Sequence, residues 1–124
     1  MSYTVKEINE KAKALMFEKQ SSNIYDSYCI PNLNRILMEL FGENNVMRVF
    51  KGLNRLEAPQ QVTKMTDVLV YEDEYVLNVI PIGLAARYSI DDDLNKYSIF
   101  DTDYNNARVN NLRIVSVEDY DNAT

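Results

Sequence analysis

At 124 residues, with 46% hydrophobic and 26% charged residues and only three glycines, the chain has the size and composition of one folded, helix-rich domain. No apolar run approaches the ~20 residues of a membrane span, and MSYTVKEINEK lacks the apolar core of a signal peptide, so a cytoplasm-like compartment is expected. The net charge of −6 divides into +2 over residues 1–65 and −8 over residues 66–124, which disfavours binding to duplex DNA, where phosphates must be neutralised.

The first helix opens at T-V-K-E, a capping box in which Thr4 accepts from the third helical N–H and Glu7 reaches back to the Thr4 N–H. Val5, Ile8, Ala12, Leu15 and Met16 then fall on one stripe, and the helix is expected to end near Lys19. Gln20 to Asn23 form a polar connector. The second helix is predicted from about Asn23, kinked at Pro31, with Cys29, Leu33, Ile36, Leu37 and Leu40 on its buried face and Gly42 as its C-terminal stop. Cys29, the lone cysteine, reads as a small buried thiol.

Gly42 to Met65 reads as a long ordered loop anchored by Phe50, Leu53 and Leu56 and extended at APQQVT. It holds Arg48, Lys51, Arg55 and Lys64, but neither a glycine cradle for phosphate nor an aromatic platform for bases. The third helix is predicted from Glu72 to Tyr88, acidic at its start, with Arg87 at its end and a bend near Leu77 to Pro81. Gly83, Ala85 and Ala86 leave room for a second helix to approach. Asp91 is read as the cap of a fourth helix whose inner face is Leu94, Tyr97, Phe100, Tyr104 and Ala107. From Asn111 onward the chain is β-prone and then acidic. A single strand there has no partner in its own chain, so it is either a frayed terminus or a strand added to another subunit.

Motifs for chemistry do not assemble. Asp101, Asp103 and Asn105 begin like a calcium loop, but Asn106 replaces the required glycine and Leu112 the bidentate glutamate. Asp91, Asp92 and Asp93 read as a helix cap. With no histidine, no His-based triad, acid–base pair or metal site is possible. The expectation is a non-enzyme with no cofactor and no metal site. The acidic half fits either a surface offered to a basic partner or a solvated face that keeps the chain soluble.

The order of segments resembles a known family. The I-P-I-G-L-A-A run (Ile80 to Ala86) and the later Phe100, Tyr104, Asn105 and Ala107 are similar to the packing motifs of the small helical head–tail connector (adaptor) proteins of tailed bacteriophages, over about residues 4–110. Asp101, Asn106 and the β-prone acidic tail depart from that pattern. The resemblance implies an all-α, four-helix connector-type bundle over residues 1–110, with the long loop between helices 2 and 3. Residues 111–124 would be an extended tail that reaches a partner through Leu112, Arg113, Ile114, Val115 and Val117. It further implies a homo-oligomeric ring, usually dodecameric, beneath the portal protein, docking a stopper or tail-completion protein. DNA would pass through without specific binding, and the protein would sit in the virion neck after assembly in the host cytoplasm. The competing expectation is an acidic DNA mimic that inhibits a host nucleic-acid-binding enzyme.

Overall fold

The computed structural model describes residues 2–18 and 23–123, with the side chains of the last helix as far as Val115. Among these residues the chain is mostly helical: α1 (Val5–Leu15), α2 (Asp26–Phe50), the single turn α3 (Asp73–Val76), α4 (Ile80–Ser89) and α5 (Leu94–Ala123). A two-stranded antiparallel sheet joins β1 (Tyr3–Thr4) to β2 (Val68–Leu69), with Tyr3 opposite Leu69. Among the described residues, no helix is long and apolar enough to cross a membrane.

The centre of the bundle is α4. Eight of its ten residues are buried, so it is enclosed by α1, α2 and α5 rather than lying on the surface. Ser89, inside this apolar environment, donates its hydroxyl to the Ala85 carbonyl (2.9 Å). The outer helices supply Val5, Ile8 and Ala12 from α1 and Leu33, Ile36, Leu37 and Leu40 from α2 to one core.

Several expectations need correction. Gly42 does not stop the second helix, which begins at Asp26 and continues to Phe50. The stop is Gly52 at φ +80°, where Leu53 N–H bonds to Arg48 O (2.8 Å) and Gly52 N–H to Val49 O (3.0 Å). The single bent helix from Glu72 to Tyr88 is two helices. The Pro81 ring cannot sit over the Leu77 carbonyl in a continuous helix, and the chain breaks between Val76 and Ile80. Asp93 rather than Asp91 caps α5, accepting from Asn95 N–H (3.0 Å) and Lys96 N–H (3.2 Å). The extended tail is instead helix through Ala123, because the i→i−4 ladder satisfies its backbone within the segment. Of the polar connector, Gln20, Ser21 and Ser22 lie outside the described residues.

Between Lys51 and Glu72 the backbone is held by side-chain amides that pair as a neighbouring strand would. Asn45 bonds both N–H and C=O of Leu56 (2.8 and 3.1 Å), and Asn34 does the same for Val62 (2.8 and 3.0 Å). Gln60 covers the free edge of β2, donating to Val68 O (2.8 Å) and accepting from Val70 N–H (2.9 Å).

The capping box at Thr4 and Glu7 is formed. The other end of α1 repeats the motif that ends α2, with Glu18 N–H on Lys13 O (2.9 Å) and Phe17 N–H on Ala14 O (3.0 Å). The residue in the left-handed position is Phe17, at φ 61° and 94% exposed. A Cβ is strained there and the ring buries nothing in exchange. Phe17→Gly should therefore raise stability by about 1 kcal/mol, seen as a higher urea midpoint at unchanged slope. An unchanged or lower midpoint would mean that the ring has a stabilising contact.

Five buried tyrosines titrate late. Burial pushes Tyr71 up to about 12; burial and then the bond to Asp92 do the same for Tyr25, and burial raises Tyr75, Tyr88 and Tyr104 as well. An unfolded tyrosine ionises near 10.0, so these groups favour the fold fully below that pH and lose that contribution as pH rises towards 12. Full tyrosinate absorbance, which requires these five, should be reached only together with loss of helical circular dichroism. Full ionisation with the helix signal intact would contradict the burial.

Candidate assembly surface

The joint that orients the helices centres on Tyr104. Its ring lies against Gly83 of α4, where an added Cβ would stand 2.8 Å from Tyr104 Cε1, 2.9 Å from Cδ1 and 3.1 Å from Ile36 Cδ1. The guanidinium carbons of Arg87 and Arg108 sit 5.7 and 5.4 Å from the ring centroid. The hydroxyl donates to Glu39 Oε1 (2.8 Å), and the other Glu39 oxygen receives Arg87. Arg108 binds Glu43 through Nε (2.9 Å) and Nη2. One ring thus ties α2, α4 and α5 together. The pairs Glu39–Tyr104 and Glu43–Arg108 ascend together, so α2 and α5 run parallel, while α4 and α5 form an antiparallel hairpin.

A second network lies at the start of α2. Tyr88 hydroxyl donates to Asn9 Oδ1 (2.7 Å), and Asn9 Nδ2 to Asp26 Oδ1 (2.9 Å). Asp26 also pairs with the buried Lys13 (3.4 Å), which keeps an ammonium in the interior from being uncompensated. Tyr25 stacks on Tyr88 with centroids 4.9 Å apart and planes at 9°, and donates to Asp92 Oδ2 (2.8 Å). Beside this pair lies a groove of about 410 Å³ lined by Ile24, Tyr28 and Asn32 on one side and Ile90, Asp91 and Asp92 on the other. Cys29, close by, is buried, and that burial pushes its thiol up, away from a reactive thiolate. Among the described residues, no group of three or more Cys, Asp and Glu side chains could hold a metal ion.

The solvent side of α2 is unusual. Tyr28, Pro31, Met38, Gly42, Val46 and Val49 are all exposed. At about 100° per residue they fall within about 80° of one another, opposite the buried Cys29, Leu33, Ile36, Leu40 and Met47. Only Arg35 interrupts this arc. Sequence reading took Gly42 for a stop and so missed the stripe; the recurrence of apolar residues every three or four positions past Gly42 is the signal that could have shown it.

The residues expected to reach a partner are placed on the final helix. Leu112, Arg113 and Ile114 are exposed, and Val115 is buried at 5% exposure in the same core as α1 and α4. Val117 lies in α5, its side chain outside the described set. Asn111, one residue before them, donates to Glu74 O (3.2 Å) and fixes this part of α5 to α3. The five therefore do not share one surface: Leu112 to Ile114 face outward, whereas Val115 helps hold the helix.

The chain matches no protein-family model, no curated protein and no solved structure.

The Tyr104 joint can be tested through its glycine. Replacing a helical glycine by alanine normally stabilises by about 1 kcal/mol, and Gly42→Ala should do so because nothing lies within 4 Å of the new methyl. At Gly83 the ring is held from both sides and cannot retreat, so overpacking wins. Gly83→Ala should lose about 1–2 kcal/mol net, measured by thermal or urea unfolding. Stabilisation by both changes would show that Tyr104 moves freely.

Proposed function

We propose that this chain is a structural part of a virion: a head–tail adaptor that forms a ring under the portal protein and extends the DNA channel towards a stopper or tail. The observation that carries this reading is the double-sided α2 helix, apolar towards the core and again along its exposed face. Such a stripe on a small protein is a surface for further packing. The motifs behind the family resemblance agree, since Gly83 and Tyr104 are the contact that locks α4 to α5. The acidic second half suits a channel component that must let DNA pass without holding it. The role is structural rather than catalytic, with portal and stopper or tail-completion protein as partners and neighbouring copies completing the ring.

Co-expression of the tagged chain with a tailed-phage portal protein is the test. The expected result is co-purification of the two and ring-shaped particles by electron microscopy, lost on Met38→Asp or Val46→Asp in the stripe. Absence of both portal binding and rings, with the chain competing against DNA for a basic protein instead, would favour the mimic and overturn the adaptor.

A further inference from the structure

The groove beside Tyr25 and the loop after α2 have complementary chemistry, and Asp91 of the one and Arg55 of the other have no charged partner among the described residues. The groove offers three tyrosine rings, Tyr25, Tyr28 and Tyr88, beside the exposed aliphatic side chains of Ile24 and Ile90, with the exposed carboxylates of Asp91 and Asp92 at its rim. Asp92 already accepts from Tyr25, and Arg87 is committed to Glu39. Asp91 has no hydrogen bond or ion pair among the described residues. What fits such a site is an aliphatic side chain next to a guanidinium, which can bind a carboxylate bidentately and lie over Tyr28.

The Leu53–Arg55 loop presents that pair. Both residues are exposed, and Arg55, like Asp91, has no hydrogen bond or ion pair among the described residues. The loop is also held in shape. Gly52 turns it, Arg48 Nε donates to Asn54 O (2.6 Å), and Leu56 is tied on both sides to Asn45. A preformed loop loses less conformational freedom on docking. Within one molecule the two cannot meet: Leu56 is fixed at the level of Asn45, about 25 Å along α2 from Tyr28 at 1.5 Å per residue.

We propose that the groove of one copy receives Leu53 and Arg55 of a second copy, with Arg55 paired to Asp91. The division of charge, +2 over residues 1–65 and −8 over residues 66–124, favours this head-to-tail contact between a loop in the first part and the acidic rim that Asp91 and Asp92 of the second part give the groove. A contact between two different surfaces repeats from copy to copy and closes into a ring when its rotation permits. The inference deepens the ring reading above by naming its seam, and it rests on that reading only for closure.

The test uses the purified full-length chain alone, by sedimentation velocity and native mass spectrometry across a concentration series at two salt levels. The wild-type chain should associate, more weakly at high salt. Arg55→Glu and Asp91→Arg should each weaken association roughly tenfold or more while leaving the thermal midpoint unchanged, since both side chains are exposed. Combining the two in one chain should restore association. A wild-type chain that stays monomeric throughout, single variants that associate normally, or a combined variant as weak as the singles would each overturn the seam. So would loss of association on Val46→Asp with Arg55→Glu unaffected, which places the contact on the α2 stripe. Portal capture without self-association sinks the seam and leaves the adaptor, whereas self-association without portal capture does the reverse.

Discussion

The fit of one tyrosine ring into one absent side chain governs this structure. Gly83 lets α5 come close enough to α4 for the Cδ1–Cε1 edge of Tyr104 to rest against it, and Ile36 of α2 closes the third side. Two guanidiniums flank the ring, and Glu39 takes both the hydroxyl and Arg87. Each guanidinium meets a carboxylate, Arg87 on Glu39 and Arg108 on Glu43, while Glu43 Oε2 stays buried without a hydrogen bond among the described residues. Beyond this joint, α5 is held to the bundle by Asn111 on Glu74, the buried Val115 and the partly buried Phe100 and Ala107.

The rest of the chain follows from where α4 is held. Because α4 is enclosed, the buried polar groups at its end are satisfied internally: Ser89 bonds back to the Ala85 carbonyl, and Tyr88 finds Asn9, which in turn finds Asp26. That chain of bonds fixes the start of α2 against α1 and leaves the groove beside Tyr25 and Tyr88 as a consequence of their stacking. At the far end, a segment with almost no regular structure is kept in place by Asn34, Asn45 and Gln60, each lending its amide as a substitute for a strand. Order in the loop thus comes from α2, through Asn34 and Asn45, together with the loop's own Gln60 along β2.

The local features were legible. Thr4 and Glu7 announce the first helix because the capping box is a four-residue pattern, and Val5, Ile8 and Ala12 reveal its buried face. The smallness of Gly83 could be read, although its partner could not, since Tyr104 is more than twenty positions away. Other features depend on context that spacing does not carry. A glycine can stop a helix or stand inside one: Gly42 and Gly52 look alike in sequence, and only the second has a positive φ. Arg113 to Val117 have strand propensity, yet Asn111 and Val115 gain contacts that override it. The sheet was invisible because two-residue strands leave no alternation to detect. Of the candidate surface, Leu112 and Ile114 were legible as apolar positions, whereas the α2 stripe was hidden by the mistaken stop and the groove by its dependence on three separate elements.

A rigid joint around Tyr104 makes the α4–α5 hairpin and α2 one body, and native-state amide hydrogen exchange measures that rigidity segment by segment. Amides of Leu84 to Tyr88 and of Tyr104 to Arg108 should exchange only through global unfolding, with the same free energy as the α2 amides around Leu37 to Phe41. Exchange of the Tyr104 to Arg108 amides at a markedly lower free energy, with α1, α2 and α4 still protected, would show that α5 detaches alone and would contradict the account.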